Sequence, residues 1–556
     1  MAKPTLKLCM CLCLVLNSIV LICILCIAVL DNQGCSDEDF RKAAVAADSE
    51  MCSKIGRDTL KRGGSAVDGA IATLVCTSII HPQSMGIGGG SIFTIRDKEG
   101  KVKIINSRET VPKVFNSNLM SKCSTPSKPF KSEGKYWIGV PGEIRGYAEA
   151  HKLFGKLPWA SLFEPTIKMA REGFPLPHVL GRFLVVLENS TLPIRKLFVD
   201  KDGKLLKEGD TLRFEKLADT LEIIAKEGGE AFYKGEIARN LISDIQEAGG
   251  TLSQEDLDSF KVQVLDAWKL PLGDYDMYIP PPPAGGAILS FILNTMRGYN
   301  LTPASLEGEQ KTLMFQRYVE TSKFANGLRR FLRDPRFTPS EPALAASKEE
   351  FADRIRAMIH DDRTHDDQYY NVTPSMDSVG TTHVSVLAED GMAVSVTSTI
   401  NHIFGSKVFS PKTGIILNNE LSDFCGKASS IQAGEQPPSS MSPSILHSKS
   451  RKHTMVVGGS GGSMIITGMA LTIMNHLWMG KSLKEAISAP VVFVSSANTL
   501  SFEPAFDKVV VEKLQSFGNK VEKRNMFFNV INAISKKDGC ISAVSDDRKK
   551  GKAAGY

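Results

Sequence analysis

The pattern of apolar and polar positions changes along the chain, and the changes predict its elements. Apolar runs with helical spacing at 43–47 and 66–72 predict helices between residues 39 and 80. A glycine cluster at 86–90 separates them from two strand-like runs, 91–96 and 102–107, joined by a turn. Residues 136–260 then follow a mostly helical pattern, and a proline-rich loop precedes a helix predicted over 287–296.

The last third of the chain has a different pattern. Alternating and β-branched residues predict strands over 383–387 and 393–397, joined by a turn at 389–391. A further strand is predicted over 454–457, followed by a glycine-rich turn and an apolar helix over 464–479. Helices, then strands, then helices indicate a mixed α/β sandwich without a doubly wound parallel sheet.

The N-terminal segment contains a long, uncharged and strongly apolar stretch. Residues 8–30 carry no charge and are long enough to cross a bilayer as a helix. Lys3 and Lys7 precede this run and Asp31 follows it, which predicts a cytoplasmic tail over 1–7 and an ectodomain outside the cell. A cleaved signal peptide is the alternative, but its apolar region is usually shorter and ends at small residues. The pattern favours a single-pass type II anchor in the cell membrane.

Composition narrows the class of protein. With 42% hydrophobic and 23% charged residues, the 556-residue chain is typical of a folded protein. Its formal net charge of +6 is thinly spread, and no Lys/Arg-rich run is interleaved with aromatic residues. Nucleic-acid binding is therefore not expected.

Cysteines and sequons agree with an extracellular location. Six cysteines follow the predicted anchor without any CxxC pair, so disulfides are expected and a zinc site is not. Three N-x-S/T triplets are candidate glycosylation sites, at Asn189, Asn300 and Asn371. His360 and His365 lie among aspartates, but a solvated surface explains this stretch more simply than a metal site does.

Ser460 lies in the most conspicuous motif of the chain. The run GGSGG at 458–462 fits G-x-S-x-G between a strand and a helix, which is the nucleophile motif of α/β-hydrolases. Such an enzyme needs an acid and a histidine after the serine, and the only later histidine is His476, inside the predicted helix. The glycines are better explained as backbone N–H donors that can stabilise an oxyanion.

Gly380 and Thr381 form a second candidate centre. A glycine before a threonine at the start of a strand resembles an autoproteolytic junction. Thr381 could attack the carbonyl of Gly380, and its freed α-amine could then serve as the base that a weak hydroxyl nucleophile needs. Alone, a Gly–Thr pair is common, and an ordinary turn before a strand explains it more simply than an autoproteolytic junction does.

Longer motifs elsewhere in the chain indicate what kind of protein the Gly380–Thr381 pair belongs to. The chain resembles the γ-glutamyltransferase (glutathione hydrolase) family along essentially its whole length, and is most similar to its leukotriene-C4-hydrolysing branch through SPKTGIILNNEL at 410–421. The wider resemblance is carried by GSAVD at 64–68, PQSMGIGGG at 82–90, INSRE at 105–109, VPGEIRG at 140–146, TSTIN at 397–401 and PSSM at 438–441.

The resemblance implies a fold and a set of site residues. The fold is the N-terminal-nucleophile hydrolase sandwich, an αββα arrangement of two sheets between helical layers. Self-cleavage between Gly380 and Thr381 would divide the ectodomain into a large subunit, 31–380, and a small subunit, 381–556. The resemblance implies that Thr381 is the nucleophile, that the Thr399 hydroxyl orients it, and that Gly461 and Gly462 form the oxyanion site. It implies that the substrate α-carboxylate is bound by Arg108, Ser439 and Ser440, and that the substrate α-ammonium is bound by Asn401, Glu420 and Asp423. It also implies a disulfide between Cys52 and Cys76.

The same resemblance implies an activity. Thr381 would remove the γ-glutamyl group from leukotriene C4, glutathione and glutathione conjugates, passing it to water or to an acceptor amino acid or dipeptide, with no metal or organic cofactor. Ile403 stands where the better-known family member carries tyrosine, and the segment between Asp423 and Ser439 is shorter, which favours a bulkier acceptor side. The alternative is an uncleaved, inactive relative that binds ligands at the cell surface.

Overall fold

The computed structural model describes residues 35–124, 134–372, 380–523 and 529–556. The predicted tail and the anchor at 8–30 lie outside these ranges. Within them, no helix is long and apolar enough to cross a membrane.

Two antiparallel sheets form the centre of the molecule. The strands of the described residues are β1 Ala44–Ala46, β2 Gly90–Arg96, β3 Val102–Asn106, β4 Phe174–Pro175, β5 Thr211–Leu212, β6 Gln263–Asp266, β7 Trp268–Leu272, β8 Tyr275–Ile279, β9 Thr382–Leu387, β10 Ala393–Thr399, β11 Phe409–Ser410, β12 Ile415–Ile416, β13 Ser444–Ser448, β14 His453–Ser460, β15 Val492–Val494, β16 Leu500–Phe502, β17 Val530–Lys537, β18 Cys540–Val544 and β19 Ala554–Gly555. The first central sheet has the strand order β19-β1-β9-β10-β2-β3-β6 and the second has the order β18-β17-β14-β13-β8-β7.

Helices cover the outer faces of both sheets. The α-helices span Glu50–Lys61, Ala66–Ile80, Glu143–Phe154, Glu164–Glu172, His178–Leu184, Glu215–Glu227, Gly235–Glu247, Gln254–Ser259, Gly286–Arg297, Gly308–Leu328, Glu341–Ala346, Glu349–Arg356, Ile465–Leu477, Leu483–Ser488 and Lys508–Ser516.

The packing of these elements produces four layers. Helices Ala66–Ile80 and Glu143–Phe154 contact the first sheet, and helices Gly286–Arg297 and Ile465–Leu477 contact the second. The inner faces of β9 and β10 meet β14 of the second sheet. Every residue of helix Ala66–Ile80 is buried, as expected of a helix that is apolar on all sides. The predicted α/β sandwich is confirmed.

One predicted element is wrong. The alanine-rich run 43–47 does not begin a helix; it contains β1, which pairs antiparallel with both β9 and β19. Alanine favours helices locally, but here the strand fills a buried position between two others, and tertiary packing overrides propensity. The other strands predicted in the N-terminal and C-terminal thirds are present, with ends that differ by a few residues.

Three disulfides lie among the described residues. Cys52–Cys76 joins the first two helices and confirms the predicted pair. Cys35–Cys540 and Cys123–Cys425 are pairings that the sequence left open. The three candidate glycosylation sites, Asn189, Asn300 and Asn371, are all exposed, and their modification stays a prediction.

Candidate active site

The hairpin of β9 and β10 brings the two threonines of the candidate centre together. Thr381 immediately precedes β9 and Thr399 ends β10, because these strands pair antiparallel with Thr382 opposite Ser398. The Thr381 hydroxyl donates to Thr399 Oγ1 at 3.3 Å, and Thr399 Oγ1 also accepts the Asn401 N–H at 2.7 Å. Thr382 points elsewhere and donates to Asp48 Oδ2 at 2.6 Å. Alternation along the strand thus separates the two neighbouring hydroxyls.

The Gly380–Thr381 junction is strained and accepts a hydrogen bond from the glycine-rich turn after β14. Thr381 has φ of 82°, a costly conformation for a β-branched residue. The Gly461 N–H donates to the carbonyl oxygen of Gly380 at 3.0 Å. A Cβ at position 380 would lie 1.8 Å from the carbonyl oxygen of Asn401, so only glycine fits there. Gly461 and Gly462 both have positive φ, which suits a turn whose N–H groups converge on an anion.

Lys549 is a residue of this centre that the sequence analysis missed. It is 3% exposed, and its ammonium donates to the Thr381 carbonyl at 2.6 Å, to Ser460 Oγ at 2.8 Å and to Asp48 Oδ2 at 2.9 Å. Burial tends to raise the pKa of Asp48, but Lys549, His81 and the Thr382 hydroxyl together hold that pKa below its usual value. Lys549 lies in the charged stretch 546–552 with no catalytic motif around it, so only the fold reveals its role.

Ser460 contacts this lysine, and no histidine among the described residues donates to it or accepts from it. Its side chain is fully buried at the end of β14 and its Oγ accepts a hydrogen bond from Lys549 Nζ. His476 instead contacts Ser535 and the Lys481 carbonyl. The rejection of the α/β-hydrolase motif therefore agrees with the geometry.

Arg108 and two acids form a buried charge cluster beside the threonines. The guanidinium is fully buried; its Nη1 lies 2.6 Å from Glu420 Oε1 and its Nη2 donates to Asp423 Oδ2 at 2.7 Å. Its Nε and Nη2 also donate to the carbonyls of Pro437 and Pro438, at 2.7 and 2.9 Å. The residues expected to bind the two charges of a zwitterion are therefore in direct contact with one another.

Burial and crowding of like charges shift the pKa values in this cluster. Burial raises the pKa of Glu420 to about 7 against the opposing effect of Arg108, and the charge of Asp423 adds to the rise. Burial, together with the charge of Glu420, also raises the pKa of Glu109 well above its usual value. Acidic side chains whose pKa values are strongly shifted, next to a buried arginine, are typical of functional sites.

The remaining predicted residues join these two centres. Asn401 donates to the hydroxyl of Ser422, which lies in the 3₁₀ helix Glu420–Phe424 that carries both acids. Ser439 and Ser440 follow the two proline carbonyls that Arg108 contacts. All the candidate catalytic and binding residues named from the sequence thus lie in one connected set, and their individual roles stay predictions.

No metal centre is found among the described residues. No group of three or more His, Cys, Asp or Glu side chains in that part of the chain could hold an ion. His360 and His365 contact each other through Nδ1 and Nε2 at 3.1 Å.

Known proteins resemble this chain in sequence and in fold. Residues 52–556 match the family model described as Gamma-glutamyltranspeptidase. Glutathione hydrolase 5 proenzyme of Mus musculus is 46% identical over 547 residues, covering 94% of each chain. A cephalosporin acylase from Bacillus halodurans shares the fold, with a TM-score of 0.81 at 22% identity over 93% of this chain and 96% of its own. The γ-glutamyltranspeptidase of Helicobacter pylori has a TM-score of 0.53 at 25% identity, over 57% of this chain and 92% of its own.

The fold and the site therefore define an enzyme of the N-terminal-nucleophile hydrolase type. The chain belongs to the γ-glutamyltranspeptidase, or glutathione hydrolase, family.

Proposed function

We propose that the chain cuts itself between Gly380 and Thr381 and then uses Thr381 as the nucleophile that removes γ-glutamyl groups. The observation that carries this proposal is the hydrogen bond from Gly461 N–H to the Gly380 carbonyl oxygen, beside a strained threonine. An oxyanion donor is thus in place at the bond that must be cut.

Self-cleavage proceeds by an N-to-O acyl shift. The Thr381 hydroxyl attacks the Gly380 carbonyl carbon, and Gly461 stabilises the negative oxygen that forms. The C–N bond breaks, the hydroxyl proton passes to the freed amine, and Gly380 is left as an ester on Thr381. Water then hydrolyses that ester, releasing the carboxyl group of Gly380.

Turnover reuses the same groups. The free α-amine of Thr381 accepts the hydroxyl proton as Oγ1 attacks the γ-glutamyl carbonyl, and Gly461 and Gly462 hold the oxyanion. The leaving amine takes the proton, and a γ-glutamyl ester of Thr381 remains. Water, or the amine of an acceptor amino acid or dipeptide, attacks this ester and restores the hydroxyl. Thr399, which accepts from Thr381 Oγ1, keeps the nucleophile oriented.

The charge cluster provides recognition of the γ-glutamyl group. Arg108, Ser439 and Ser440 bind the α-carboxylate, and a planar guanidinium suits that task. Asn401, Glu420 and Asp423 bind the α-ammonium. The cluster is buried, so each unpaired charge would be costly and a complete zwitterion is favoured over a substrate that lacks either group.

Leukotriene C4 is proposed as a substrate alongside glutathione and its S-conjugates. Support comes from the resemblance to the leukotriene-C4-hydrolysing branch and from Ile403, a half-buried apolar residue two positions after Asn401. An apolar rim favours a substrate with a large hydrophobic substituent on its leaving group.

The predicted location is the cell surface, with a type II anchor over 8–30. Support comes from the charge pattern around this run and from the exposure of the three sequon asparagines. Retention of the full chain in membranes after alkaline extraction, with the catalytic part accessible to protease added to intact cells, tests this location.

The activity is tested by glutamate release from leukotriene C4 and glutathione, using wild type, Thr381→Ala and Ser460→Ala. We expect Thr381→Ala to remain uncut and inactive, while Ser460→Ala retains activity on both substrates. An uncut wild-type chain without glutamate release would instead identify an inactive surface-binding relative, and loss of activity confined to Ser460→Ala would identify a serine hydrolase.

A further inference from the structure

Arg329 connects two loops of the candidate site without belonging to either. Its Nη1 donates to Ser440 Oγ at 2.7 Å and its Nη2 donates to the Ser463 carbonyl at 3.1 Å. Ser440 is assigned to the α-carboxylate of the substrate. Ser463 lies in the 3₁₀ turn Gly462–Met464, next to the proposed oxyanion donors. One guanidinium thus contacts both the loop at the carboxylate end and the loop at the carbonyl end of a γ-glutamyl group.

The position of this guanidinium is itself fixed by neighbours. Arg329 follows helix Gly308–Leu328, where the negative end of the helix dipole favours a cation. Its Nε donates to Asn326 Oδ1 at 3.2 Å. The amide nitrogen of Asn326 donates to the Ser495 carbonyl and to Asn498 Oδ1, so its oxygen faces the arginine. These contacts lock the planar fork of donors in one orientation.

The contact with Ser440 determines where that hydroxyl points. A serine hydroxyl has one proton to donate and lone pairs that accept. Because arginine can only donate, it occupies a lone pair of Ser440 Oγ, and the hydroxyl proton must be directed to another acceptor. Under the proposed function, that acceptor is the substrate α-carboxylate. A donor that is already oriented loses less conformational entropy when the substrate binds.

We propose that Arg329 is a positioning residue that orients the Ser440 hydroxyl toward the γ-glutamyl α-carboxylate and ties this contact to the oxyanion turn through Ser463. This inference rests on the proposed γ-glutamyl transfer. It makes binding of the α-carboxylate and alignment of the γ-carbonyl depend on the same side chain.

The test is a double-mutant cycle with Arg329→Gln and Ser440→Ala, measured with γ-glutamyl-p-nitroanilide and with glutathione. We expect Arg329→Gln to lower kcat/KM by about 10- to 100-fold on both donors, with a raised KM, since a charged hydrogen bond is lost. In the Ser440→Ala background the same substitution should lower kcat/KM much less, because its main partner is already absent. Equal losses in both backgrounds would overturn the proposal and leave Arg329 as structural support.

Two further variants keep the test decisive. Arg329→Lys keeps the charge but offers one point donor for two acceptors, so we expect an intermediate loss of kcat/KM and normal self-cleavage. This variant replaces Arg329→Gln if the latter fails to fold.

Arg330→Gln is the matched control, because Arg330 is exposed and donates to Asn371 Oδ1, and its kcat/KM should match that of wild type. If wild type releases neither p-nitroaniline nor glutamate from glutathione, the proposed function fails; if wild type is active and both Arg329 variants match it, only the role of Arg329 fails.

Discussion

At the scale of single residues, Lys549 shows how a buried charge can hold a reactive backbone in place. Its ammonium is shared by the Thr381 carbonyl, the Ser460 hydroxyl and the Asp48 carboxylate. Asp48 is in turn contacted by Thr382 and by the amide of Asn532. A buried ion pair does not by itself indicate added stability, but removing one partner leaves the other as an unpaired buried charge.

Lys549→Met should therefore destabilise the fold and slow self-cleavage. The loss leaves the Asp48 carboxylate buried without its cation, which costs about 3–5 kcal/mol of unfolding free energy. Urea unfolding and a time course of fragment formation on reducing gels measure the two effects. Lys550→Met is the control, because Lys550 is exposed and pairs with Asp547 at the surface. Equal unfolding free energies for the two variants would contradict this role of Lys549.

Glu420 should make substrate binding depend on pH. Burial raises its pKa to about 7, so it loses its negative charge as the pH falls through that value. The α-amine of a γ-glutamyl group lies beside a free carboxylate and is more basic than a chain N-terminus, so the substrate's ammonium keeps its charge over this range while the protein loses its own. We expect the KM of γ-glutamyl donors to rise between about pH 7.5 and 5.5, approaching tenfold per unit at the acid end.

Glu420→Gln provides the comparison for this pH profile. The neutral amide resembles the protonated acid, so its KM should be high and nearly independent of pH over the same range. A wild-type KM that stays constant from pH 7.5 to 5.5 would show that Glu420 does not titrate against the substrate's ammonium.

At the scale of elements, the 3₁₀ helix Glu420–Phe424 carries both acids and is anchored at its end by Cys425. The disulfide to Cys123 and a small apolar cluster hold this helix. The cluster contains Val111, Leu119, Trp137, Leu421, Phe424 and Ile431. So short a helix has little intrinsic stability, and its position depends on such tertiary contacts.

Replacing Cys123 and Cys425 together by serine should raise the KM for γ-glutamyl donors several-fold more than it changes kcat. The acids would lose their fixed position, while Thr381 and its partners lie on other elements. Replacing Cys52 and Cys76 by serine is the control, which should lower stability without this selective effect on KM. The same KM change in both double variants would assign the effect to general destabilisation.

The elements differ in how far the sequence could predict them. Strands β9 and β10 have strong β-branched alternation, and this pattern predicts them nearly to their ends. The alanine run at β1 has the local pattern of a helix, because its strand character comes only from its neighbours in the sheet. Lys549 and Arg329 carry no local motif, and the partners of Cys35 and Cys123 are distant in sequence, so only the folded chain relates them.

At the scale of the whole molecule, both sheets combine strands from the two sides of the proposed cut. β1, β2, β3 and β6 precede residue 380, and β9, β10 and β19 follow it within the same sheet. Cys35–Cys540 and Cys123–Cys425 also join the two sides. A single cut at Gly380–Thr381 would therefore leave the two pieces interleaved and covalently linked.

The mature protein should run as one band on a denaturing gel without reductant and as two bands with it. Two bands should form without reductant only when Cys35→Ser and Cys123→Ser are combined, because either disulfide alone holds the two pieces together. Cys52→Ser should change neither pattern, since Cys52–Cys76 lies within the large piece. Two bands from wild type without reductant would contradict the covalent linkage.

The central claim is that Thr381 becomes a new N-terminus and is the group that carries the γ-glutamyl ester. It is tested most directly by mass spectrometry of the purified, reduced protein, before and after brief reaction with a γ-glutamyl donor at low pH. The account predicts a fragment whose N-terminal residue is Thr381, with one γ-glutamyl group trapped on Thr381. An active preparation in which the chain is uncut, or in which the group is on Ser460, would contradict it.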